Sequence, residues 1–515
     1  MNSILKSSVV VALSTLASRI LGFIRDMMLA SVFGATGNTD AFFVAFKIPN
    51  LFRRFVAEGA LTISFIPVYT EYLIKKSSQE ALELAQKTLS ILLIALVILL
   101  ILGEIFSPEI VKVFAVGFTE AEKFELTVLL NRIMFPYLFF IALVAFAMGV
   151  LNSHKMFFSS AFAPVFLNVG MICGILVLSG FFDIPLVGVA IGVLIGGLLQ
   201  VLLQLPYMIK SGFRMKFSID LKHPGIRKIF KMLAPALFGM AVYQINSLII
   251  TVMASFLESG SISYIYYSDR MTELVLGVFI VSIGNVILPE MSRMTANENY
   301  NELKSIYVKS MRGALFMAIP ACAAIMGIGL PIISTIFMHN NFTAEDARLT
   351  NMALFYAAIG IPFLSLLRLT TPTFYALKDT KTPVIGAILA LLLNLGAGIF
   401  LMNTPLKHAG LTLALSISSS AQVILLIFLL RKKIGKIGLT TLVKSSVKFI
   451  IASAFMLAAC LAIVSRLDWL SASAMSRFLY LAITIVAGIS IYTICCFLLR
   501  VEEIRFITGK IFKHR

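Results

Sequence analysis

The scarcest feature of this sequence is charge. Only 13% of its 515 residues are charged, against roughly 25% in soluble domains, while 59% are hydrophobic and the mean hydropathy is +0.97. A chain this apolar cannot cover its own surface with polar groups, so lipid must be the solvent for much of it. The composition therefore excludes an ordinary soluble enzyme and indicates a polytopic α-helical membrane protein.

Residues that could carry catalysis, redox chemistry or metal binding are also few. The five cysteines lie inside apolar stretches without metal-ligand spacing, and the five histidines form no cluster. The sequence has no G-x-x-x-x-G-K-[ST] phosphate cradle for ATP hydrolysis, and no Ser/His/Asp set or paired carboxylates that suggest catalysis. We therefore expect a transporter rather than an enzyme, with no cofactor and no metal.

What the sequence has in abundance is long apolar runs. A membrane-spanning helix needs about 20 mainly apolar residues. Two segments of this length, near 41–66 and 264–290, carry charges, and the alternative is that they lie on the membrane surface. Counting them gives fourteen helices. The clear runs lie near 8–33, 88–107, 130–151, 157–180, 185–208, 233–257, 313–337, 352–376, 383–403, 409–430, 446–464 and 478–499.

The net charge of +18 is distributed as a topology signal. With fourteen helices, the basic clusters fall in the even-numbered loops and the C-terminal tail, as at Lys75-Lys76 and Arg431-Lys432-Lys433. The odd-numbered loops hold few basic residues, Lys123 among them. This split predicts that both termini are cytoplasmic, because cytoplasmic loops carry the excess of Lys and Arg. It also removes the reason to expect nucleic acid as a partner.

An internal repeat runs through the chain at a constant offset of 226 residues (362 − 136 = 226). The first copy is Phe135-Pro136, Lys155 and Asn168-Val169-Gly170, and the second is Ile361-Pro362, Lys381 and Asn394-Leu395-Gly396. Six helices fall within the offset. Because six is even, the two copies have the same orientation and are related by an axis along the membrane normal.

The repeat predicts a domain organisation. We expect an all-α membrane fold with an N-terminal lobe at 1–215, which holds helices 1–6 and the following loop, and a C-terminal lobe at 216–435, which holds helices 7–12. Residues 436–515 add helices 13 and 14 and a basic tail. Transporters of this build place their substrate between the two halves.

Seven basic residues remain at membrane depth once the loops are removed. Each costs on the order of a few kcal/mol if it faces lipid, so these residues must face protein or a water-filled cavity. Helices 1, 2 and 8 hold six of the seven, together with Asp26, Asp40, Asn50, Glu58, Asp269 and Glu273. Lys47, Asn50, Arg54 and Glu58 have the spacing of one α-helical face. The seven are Arg19, Arg25, Lys47, Arg53, Arg54, Arg270 and Arg368.

The excess of arginine over acid points to an anionic substrate. The planar guanidinium suits bidentate binding of phosphate, so a phosphate-bearing molecule is expected. The alternative is that the charges form internal ion pairs, for instance Arg25 with Asp26 or Asp40, and Arg270 with Glu273. Arg368 stands apart from the others, and a structural or lateral role is expected for it.

The sequence around these charges resembles the MurJ (MviN) family of the MOP exporter superfamily. The resemblance is carried by SRILGFIRD at 18–26 and TDAFFVAFKIPNLFRR at 39–54, continued by AEGA at 57–60. It implies a lipid II flippase of the bacterial inner membrane, which moves the undecaprenyl-pyrophosphate-linked disaccharide-pentapeptide from the cytoplasmic to the periplasmic leaflet. Membrane lipids and lipid II are then the partners, the cell-wall synthesis machinery is a candidate partner, and a monomer is expected.

The resemblance also implies roles for individual residues. The family's essential cavity arginines fall on Arg19, Arg25, Arg53 and Arg270. Acidic cavity positions fall on Asp26, Asp40 and Glu273, and we expect Lys47, Asn50, Arg54, Glu58 and Asp269 to support the cavity. A hydrophobic groove at helices 13 and 14 would hold the lipid tail. Some members are thought to use a cation, but the polar residues here are Asn246, Asn394, Thr412 and Ser416, without an acid, so no sodium site is expected.

Three other functions remain open at this point. A flippase for another lipid-linked oligosaccharide would also need a basic cavity. A MOP-type small-molecule exporter for cationic drugs would more often need acidic residues, the opposite of the bias seen here. A membrane scaffold that transports nothing would tolerate neutral replacements of the arginines.

Overall fold

The computed structural model describes residues 2–277, 290–295, 297 and 299–504, and of residues 2–8, 56–60, 62 and 234–243 the backbone alone. Within these ranges the regular secondary structure is helical and no strand occurs. The predicted all-α class is confirmed. The chain forms two compact units, Met1–Ile262 and Ser263–Arg515. The three-part division at 215 and 435 stays a prediction.

The first unit is a bundle of long helices joined by short turns. A π-helix at Arg54–Phe65 continues α2 directly into α3, and a 3₁₀ turn at Leu178–Phe181 follows α8. The α-helices are α1 (Asn2–Phe33), α2 (Gly37–Arg53), α3 (Ile66–Lys75), α4 (Ser78–Ile105), α5 (Ser107–Phe114), α6 (Ala121–Met134), α7 (Tyr137–Ser153), α8 (Phe157–Leu176), α9 (Pro185–Lys210) and α10 (Pro224–Ser255).

The second unit takes in most of α11 and the helices that follow it. Its longest helix, α12, is kinked at Ile328, where the backbone leaves helical geometry three residues before Pro331. The α-helices are α11 (Ser261–Val275), α12 (Tyr300–Ile336), α13 (Ala344–Ala376), α14 (Lys381–Met402), α15 (Lys407–Ile434), α16 (Leu439–Val464) and α17 (Ala474–Leu498).

Glycine allows a close helix contact in the first unit. α8 and α9 pack along each other, and α1 packs on α8. Gly170 on α8 lies against Gly192 and Gly196 on α9, where a Cβ added to Gly170 would come within 2.4 Å of the Gly192 carbonyl oxygen. Small residues let helix backbones approach this closely in a membrane, where packing rather than hydrophobic burial drives association.

Capping interactions fix the ends of helices in the second unit. Thr343 and Asp346 form a reciprocal capping box at the start of α13, and the Tyr264 hydroxyl on α11 donates to the same Asp346 carboxylate at 2.9 Å. At the far end of α12, the buried Arg477 of α17 donates to the carbonyls of Ser334 at 2.7 Å and Met338 at 3.2 Å. A cation is favourable there because the C-terminal end of a helix carries partial negative charge.

Asp379 lies in the turn between α13 and α14, outside the apolar runs, and binds this turn to the end of α15. Burial alone would raise the pKa of the Asp379 carboxyl, but hydrogen bonds from Lys433 and Thr382 outweigh burial and lower this pKa to about 2. The Lys433 ammonium lies 2.6 Å from Asp379. This ion pair ties the end of α15 to the turn before α14.

Ten helices in the described part of the chain are long and apolar enough to cross a membrane, counting α6 and α7 as one. Many of their large apolar side chains point outward, such as Leu498 (72% exposed) and Phe428 (63% exposed). Such surfaces are stable in hydrocarbon and unfavourable in water. The chain is a membrane protein, and the total of fourteen spanning helices stays a prediction.

Most helices begin earlier than hydropathy predicts. α4 begins at Ser78 rather than near 88, because the Ser77 side chain caps it by accepting from the Glu80 amide at 3.1 Å. α6 begins at Ala121 rather than near 130. Hydropathy marks only the part of a helix that fits hydrocarbon, whereas backbone hydrogen bonding continues into polar residues beyond it.

The repeat is visible in the helix bounds. α1 and α10 both contain 32 residues and begin 222 residues apart (224 − 2 = 222). α8 and α14 both carry the repeated asparagine, at Asn168 and Asn394, and both asparagines are buried. The counterpart of the tightly packed Gly170 is Gly396, whose Cβ position meets nothing within 4 Å. These corresponding helices are therefore equal or similar in length, while the contacts of the matched glycines differ.

This difference gives a matched pair of glycine variants. Gly170→Ala should destabilise the protein by about 1–3 kcal/mol, because backbone atoms on α9 must move to admit the methyl group. Gly396→Ala should be neutral or stabilising by up to about 1 kcal/mol, since the site is open and alanine favours helix. Thermal unfolding of the two purified variants in detergent measures the contrast. Equal unfolding temperatures would contradict the close α8–α9 contact.

Candidate functional site

Arg25 lies at the centre of a buried polar cluster between α1 and α8. Its guanidinium donates to the Asp26 carboxylate from Nε at 3.0 Å and Nη2 at 2.7 Å, and to the Asn168 side-chain oxygen from Nη1 at 2.9 Å. Asn168 in turn donates to the Ser18 carbonyl at 2.9 Å. Arg25 and Asp26 are 6% and 3% exposed. The guanidinium is therefore held in one orientation.

The ion pair between Arg25 and Asp26 is one of the alternatives that the sequence left open, and the structure contains it. A buried pair of this kind leaves little net charge at Arg25 itself. The pair does not test whether Arg25 also contacts a substrate. It shows that the Asp26 carboxylate is bound to the Arg25 guanidinium and is not an isolated acid.

A second set of cations lies on α2 and contacts α10. The Lys47 ammonium donates to the Ser247 carbonyl at 2.8 Å and also bonds the Thr251 hydroxyl, while Arg54 donates to the Gln244 side chain at 3.4 Å. Gln244, Ser247 and Thr251 repeat at helical spacing and form one polar face of α10. This face supplies hydrogen bonds without adding negative charge.

Arg53 is bound on its own helix. Its Nε donates to the Asn50 side-chain oxygen at 3.2 Å, and the Asn50 amide donates to the Phe46 carbonyl at 2.9 Å. Arg53 and Arg25 both act electrostatically on the buried hydroxyl of Tyr137 at the start of α7. The two arginines therefore share one region of the first unit.

The predicted α-helical face through Lys47, Asn50, Arg54 and Glu58 stays a prediction at its last residue. The chain changes from α-helix to π-helix at Arg54, so the angular step per residue changes before Glu58 is reached. π-helical turns often occur at functional sites. The side chain of Glu58 lies outside the described residues.

Arg19 is placed differently from the other cations of α1 and α2. It is half-buried on α1 and has no hydrogen bond or ion pair with the side chains and backbone that the structure describes. Its neighbour Ser18 accepts the hydrogen bond from Asn168. Arg19 therefore directly follows Ser18, a member of the Arg25 cluster, in the sequence.

Asp40 is paired with a lysine that the sequence placed in a loop. Lys123 lies in the first turn of α6, is 9% exposed, and has its ammonium 3.3 Å from Asp40 Oδ2. The Gly260 amide donates to the same oxygen at 2.7 Å, and Ser259 accepts from Lys123 at 3.4 Å. The turn after α10 is thereby bound to α2 and α6.

The second unit holds the remaining predicted residues. Arg270 donates to the Tyr266 hydroxyl at 2.7 Å, and its guanidinium carbon lies 4.7 Å from the centre of that ring, a cation–π arrangement. Glu273 accepts from Arg368 at 2.9 Å. Arg368, which the sequence set apart, thus connects α13 to α11. Asp269 lies on the exposed side of α11.

Sequence reasoning missed three contributors to this region. Asn168, which orients Arg25, was visible only as a repeated asparagine without a role. Lys123 was counted as a loop charge, although a lysine at the start of a helix can fold inward onto an acid. The polar face of α10 carries no charge and therefore gave no signal. Periodic Gln, Ser and Thr in an otherwise apolar run could have indicated it.

The polar residues considered for a cation have other partners. Thr412 donates to the Ala353 carbonyl at 2.9 Å and Ser416 to the Tyr356 carbonyl at 2.8 Å, which binds α15 to α13. Asn246 lies on α10 in the first unit. Across the described residues, no group of three or more His, Cys, Asp or Glu side chains could hold a metal ion.

Comparison with known proteins gives one consistent family. The family model described as lipid II flippase MurJ matches residues 29–481. A probable lipid II flippase MurJ of Vibrio cholerae is 36% identical over 512 residues, which is 97% of this chain and 97% of that protein. Both matches include α2 and α11, the helices that carry Lys47, Arg53 and Arg270.

Solved structures agree with this assignment. A lipid II flippase MurJ in an inward closed conformation superimposes with a TM-score of 0.81 at 28% identity, covering 96% of this chain and 100% of that one. An inward-facing multidrug resistance MATE family transporter of the MOP superfamily gives a TM-score of 0.70 at 15% identity, covering 82% of this chain and 95% of that one. The second likeness shows a common fold alone.

The Lys123–Asp40 pair gives a prediction for stability. Lys123→Met should destabilise the protein by about 3 kcal/mol or more, because it leaves the Asp40 carboxylate buried without its cation. The double variant Lys123→Met/Asp40→Asn should recover part of that loss. The exposed Lys112→Met is the control and should change stability by less than about 0.5 kcal/mol. Thermal unfolding in detergent reports all three, and equal effects of Lys123→Met and Lys112→Met would exclude a stabilising pair.

Proposed function

The chain belongs to the MurJ family of lipid II flippases, and on that premise we propose how its own residues bind and move lipid II. The pyrophosphate of the substrate binds Arg19, Arg25, Arg53 and Arg270. The undecaprenyl tail stays in lipid beside a groove on α16 and α17. The disaccharide-pentapeptide crosses from the cytoplasmic to the periplasmic leaflet of the bacterial inner membrane.

The observation that carries the proposal is the excess of cations on α1 and α2. Together with Arg54, the first residue of the π-helix that continues α2, their described side chains include five cations, Arg19, Arg25, Lys47, Arg53 and Arg54, and two acids. One acid, Asp40, is paired with Lys123 from α6, which adds a sixth cation beside the five. The other, Asp26, is engaged by Arg25. A positive surplus at membrane depth favours an anion that arrives with its own negative charge.

Geometry within the first unit favours a phosphate group as that anion. Arg25 and Arg53 act on the same tyrosine and are each held by a side chain of their own unit, so little rotamer freedom is lost when a ligand binds. Guanidinium groups bind phosphate oxygens through two parallel hydrogen bonds. The uncharged polar face of α10 engages Lys47 and Arg54 without cancelling their charge.

Transport is proposed to follow alternating access. Fourteen helices form two lobes at 1–215 and 216–435, which rock to open the cavity to each side in turn, and 436–515 supplies the groove and the basic tail. Both termini are cytoplasmic in this arrangement. The outward faces of α16 and α17 are apolar, with Phe455 and Phe478 exposed by 62% and 65%. An apolar surface of this kind is needed to contact a polyprenyl chain.

The driving force is proposed to be the membrane potential. An inside-negative potential favours outward movement of an anion by about 2.3 kcal/mol per charge per 100 mV. This figure is an upper bound when arginines move together with the substrate. No ATP-binding motif occurs in the sequence, so the potential would replace hydrolysis as the source of direction.

Arginine replacement tests the site. In a strain depleted of its own lipid II flippase, Arg19→Ala, Arg25→Ala, Arg53→Ala and Arg270→Ala should each fail to support growth at normal membrane levels, because each removes a pyrophosphate ligand. The exposed Arg431→Ala should grow like the unmodified chain. Growth is measured beside membrane abundance by immunoblot. If all four variants complemented fully, the site assignment would fall.

Two additions separate binding from folding. Arg25→Ala also leaves the buried Asp26 carboxylate without the Arg25 guanidinium. The double variant Arg25→Ala/Asp26→Asn is therefore included, and it should fail to support growth while remaining folded. Purified protein is then titrated with lipid II and with undecaprenyl phosphate. Tighter binding of lipid II, weakened in Arg53→Ala, is expected. Equal affinity for another lipid-linked oligosaccharide would favour a different flippase substrate.

The membrane potential is tested in vesicles. In proteoliposomes loaded with fluorescent lipid II, an imposed potential that is negative on the cytoplasmic face should speed outward flipping, and the reversed potential should slow it. A lipid vesicle without protein and the Arg53→Ala protein are the controls. Flipping that is indifferent to the sign and size of the potential would show that another energy source drives it.

A further inference from the structure

A basic cavity lies in the second unit, and none of the residues assigned to the substrate lines it. Its volume is about 330 Å³, and it opens between the first turns of α12 and the segment that joins α15 to α16. The lining residues are Lys304, Ser305, Val308, Lys309, Arg312, Lys436, Ile437, Gly438 and Thr441. Four of these nine residues are cationic and none is acidic.

The cations of this cavity lie on α12 and in the turn before α16. Lys304, Val308 and Arg312 repeat every four residues and so line one face of α12. Gly435 and Gly438 both have positive φ, at 84° and 72°, and turn the chain sharply between α15 and α16. This turn brings Lys436 opposite α12, and the Lys304 ammonium lies 3.5 Å from the position of a Cβ on Gly435.

Three of the four cations keep their charge unbalanced. Lys304, Lys309 and Lys436 form no ion pair or hydrogen bond with the part of the chain that the structure describes. Arg312 differs, since it is held by Glu502 at 2.8 Å and Glu503 at 2.7 Å outside the lining. Arg312 is thus held in place at the side of the cavity by these two acids. The three lysines supply the net positive charge of the cavity.

The N-terminus of α16 adds to the same potential. Its cap residue is Gly438, which has no side chain to accept from the first amides, and the first turn carries no acidic residue. Backbone amides and the helix dipole at such an end attract anions. The cavity therefore joins three mobile ammonium groups to an uncapped helix end, a combination suited to the oxygens of a phosphate group.

The position of the cavity favours a lipid as the source of that phosphate. Directly after this first turn, α16 exposes Val443, Val447 and Ile450 at 60%, 49% and 55%, an outward apolar stripe. The cavity thus lies where a lipid-facing helix begins. Under the proposed topology this is the cytoplasmic leaflet, whose surface is rich in anionic lipid.

From these observations we propose that the cavity between α12 and the start of α16 binds the phosphate headgroup of an anionic phospholipid from the cytoplasmic leaflet. The site is separate from the arginines assigned to lipid II. A headgroup seated there would lie between α12 and α16 and hold them together. The contact would make the stability of the second unit depend on the surrounding lipid.

The test compares two triple variants of equal charge. Lys304→Gln/Lys309→Gln/Lys436→Gln empties the cavity of its unpaired cations. Arg431→Gln/Lys432→Gln/Lys444→Gln removes three exposed cations near the same helix ends but outside the lining. Full-length protein in neutral detergent is titrated with dioleoyl phosphatidylglycerol and, separately, with dioleoyl phosphatidylcholine, and bound lipid is counted by native mass spectrometry.

We expect saturable binding of phosphatidylglycerol that weakens about tenfold or more in the cavity variant and stays near the unmodified value in the control variant. Phosphatidylcholine should bind without dependence on either variant. Inorganic phosphate is added as a competitor: displacement of the lipid in the unmodified protein supports recognition of the phosphate itself, and lack of displacement with the cavity dependence retained supports the whole lipid headgroup.

Two results would overturn the proposal. One is phosphatidylglycerol binding that falls equally in the two triple variants, which would indicate general attraction to a basic surface. The other is binding that is unchanged in the cavity variant. Thermal unfolding without added lipid checks that both variants fold. Because lipid II is absent from the assay, failure here would leave the proposed flippase function untouched.

Discussion

The rest of the structure depends on the cost of placing cations inside a protein whose solvent is largely lipid. Each guanidinium or ammonium at this depth needs water, an acid or a set of carbonyls close by. Arg477 binds the carbonyls at the end of α12, and Lys123 binds Asp40. In both cases the cation joins helices that are distant in sequence, so the cost of burying it is offset by a specific tertiary contact.

The proposed site follows the same constraint with a different outcome. Arg25 has an acid beside it, whereas Lys47, Arg53 and Arg54 are held by amide, hydroxyl and carbonyl groups. These neutral groups fix the positions of the cations without adding negative charge of their own. A cluster of that kind is poorly stable unless an anion or water completes it. The region assigned to lipid II therefore combines one acid-paired arginine, Arg25, with cations that are held by neutral groups.

Much of the fold was predictable because the solvent dictates it. Apolar runs of helical length require helices when no water satisfies the backbone, so the helices around 157–180 and 185–208 were found close to their observed bounds. Helix ends in polar sequence, such as Ser78 and Ala121, were not found, because local capping rather than hydropathy sets them. The π-helix after Arg53 could not be predicted either, because a change from α-helix to π-helix produces no distinct hydrophobic periodicity in the sequence.

The sequence by itself determined the class of the protein, its helices and its family, because composition, apolar length and the motifs around Arg25 and Arg53 are local properties. It also determined that too many cations lie at membrane depth to be left facing lipid. Only the tertiary structure decided which distant partner each cation takes: Asn168 for Arg25, Asp40 for Lys123, and Glu273 for Arg368. The reason is physical, since an ion pair depends on a few ångströms between helices that lie far apart in the sequence, and no periodicity within one helix encodes that distance.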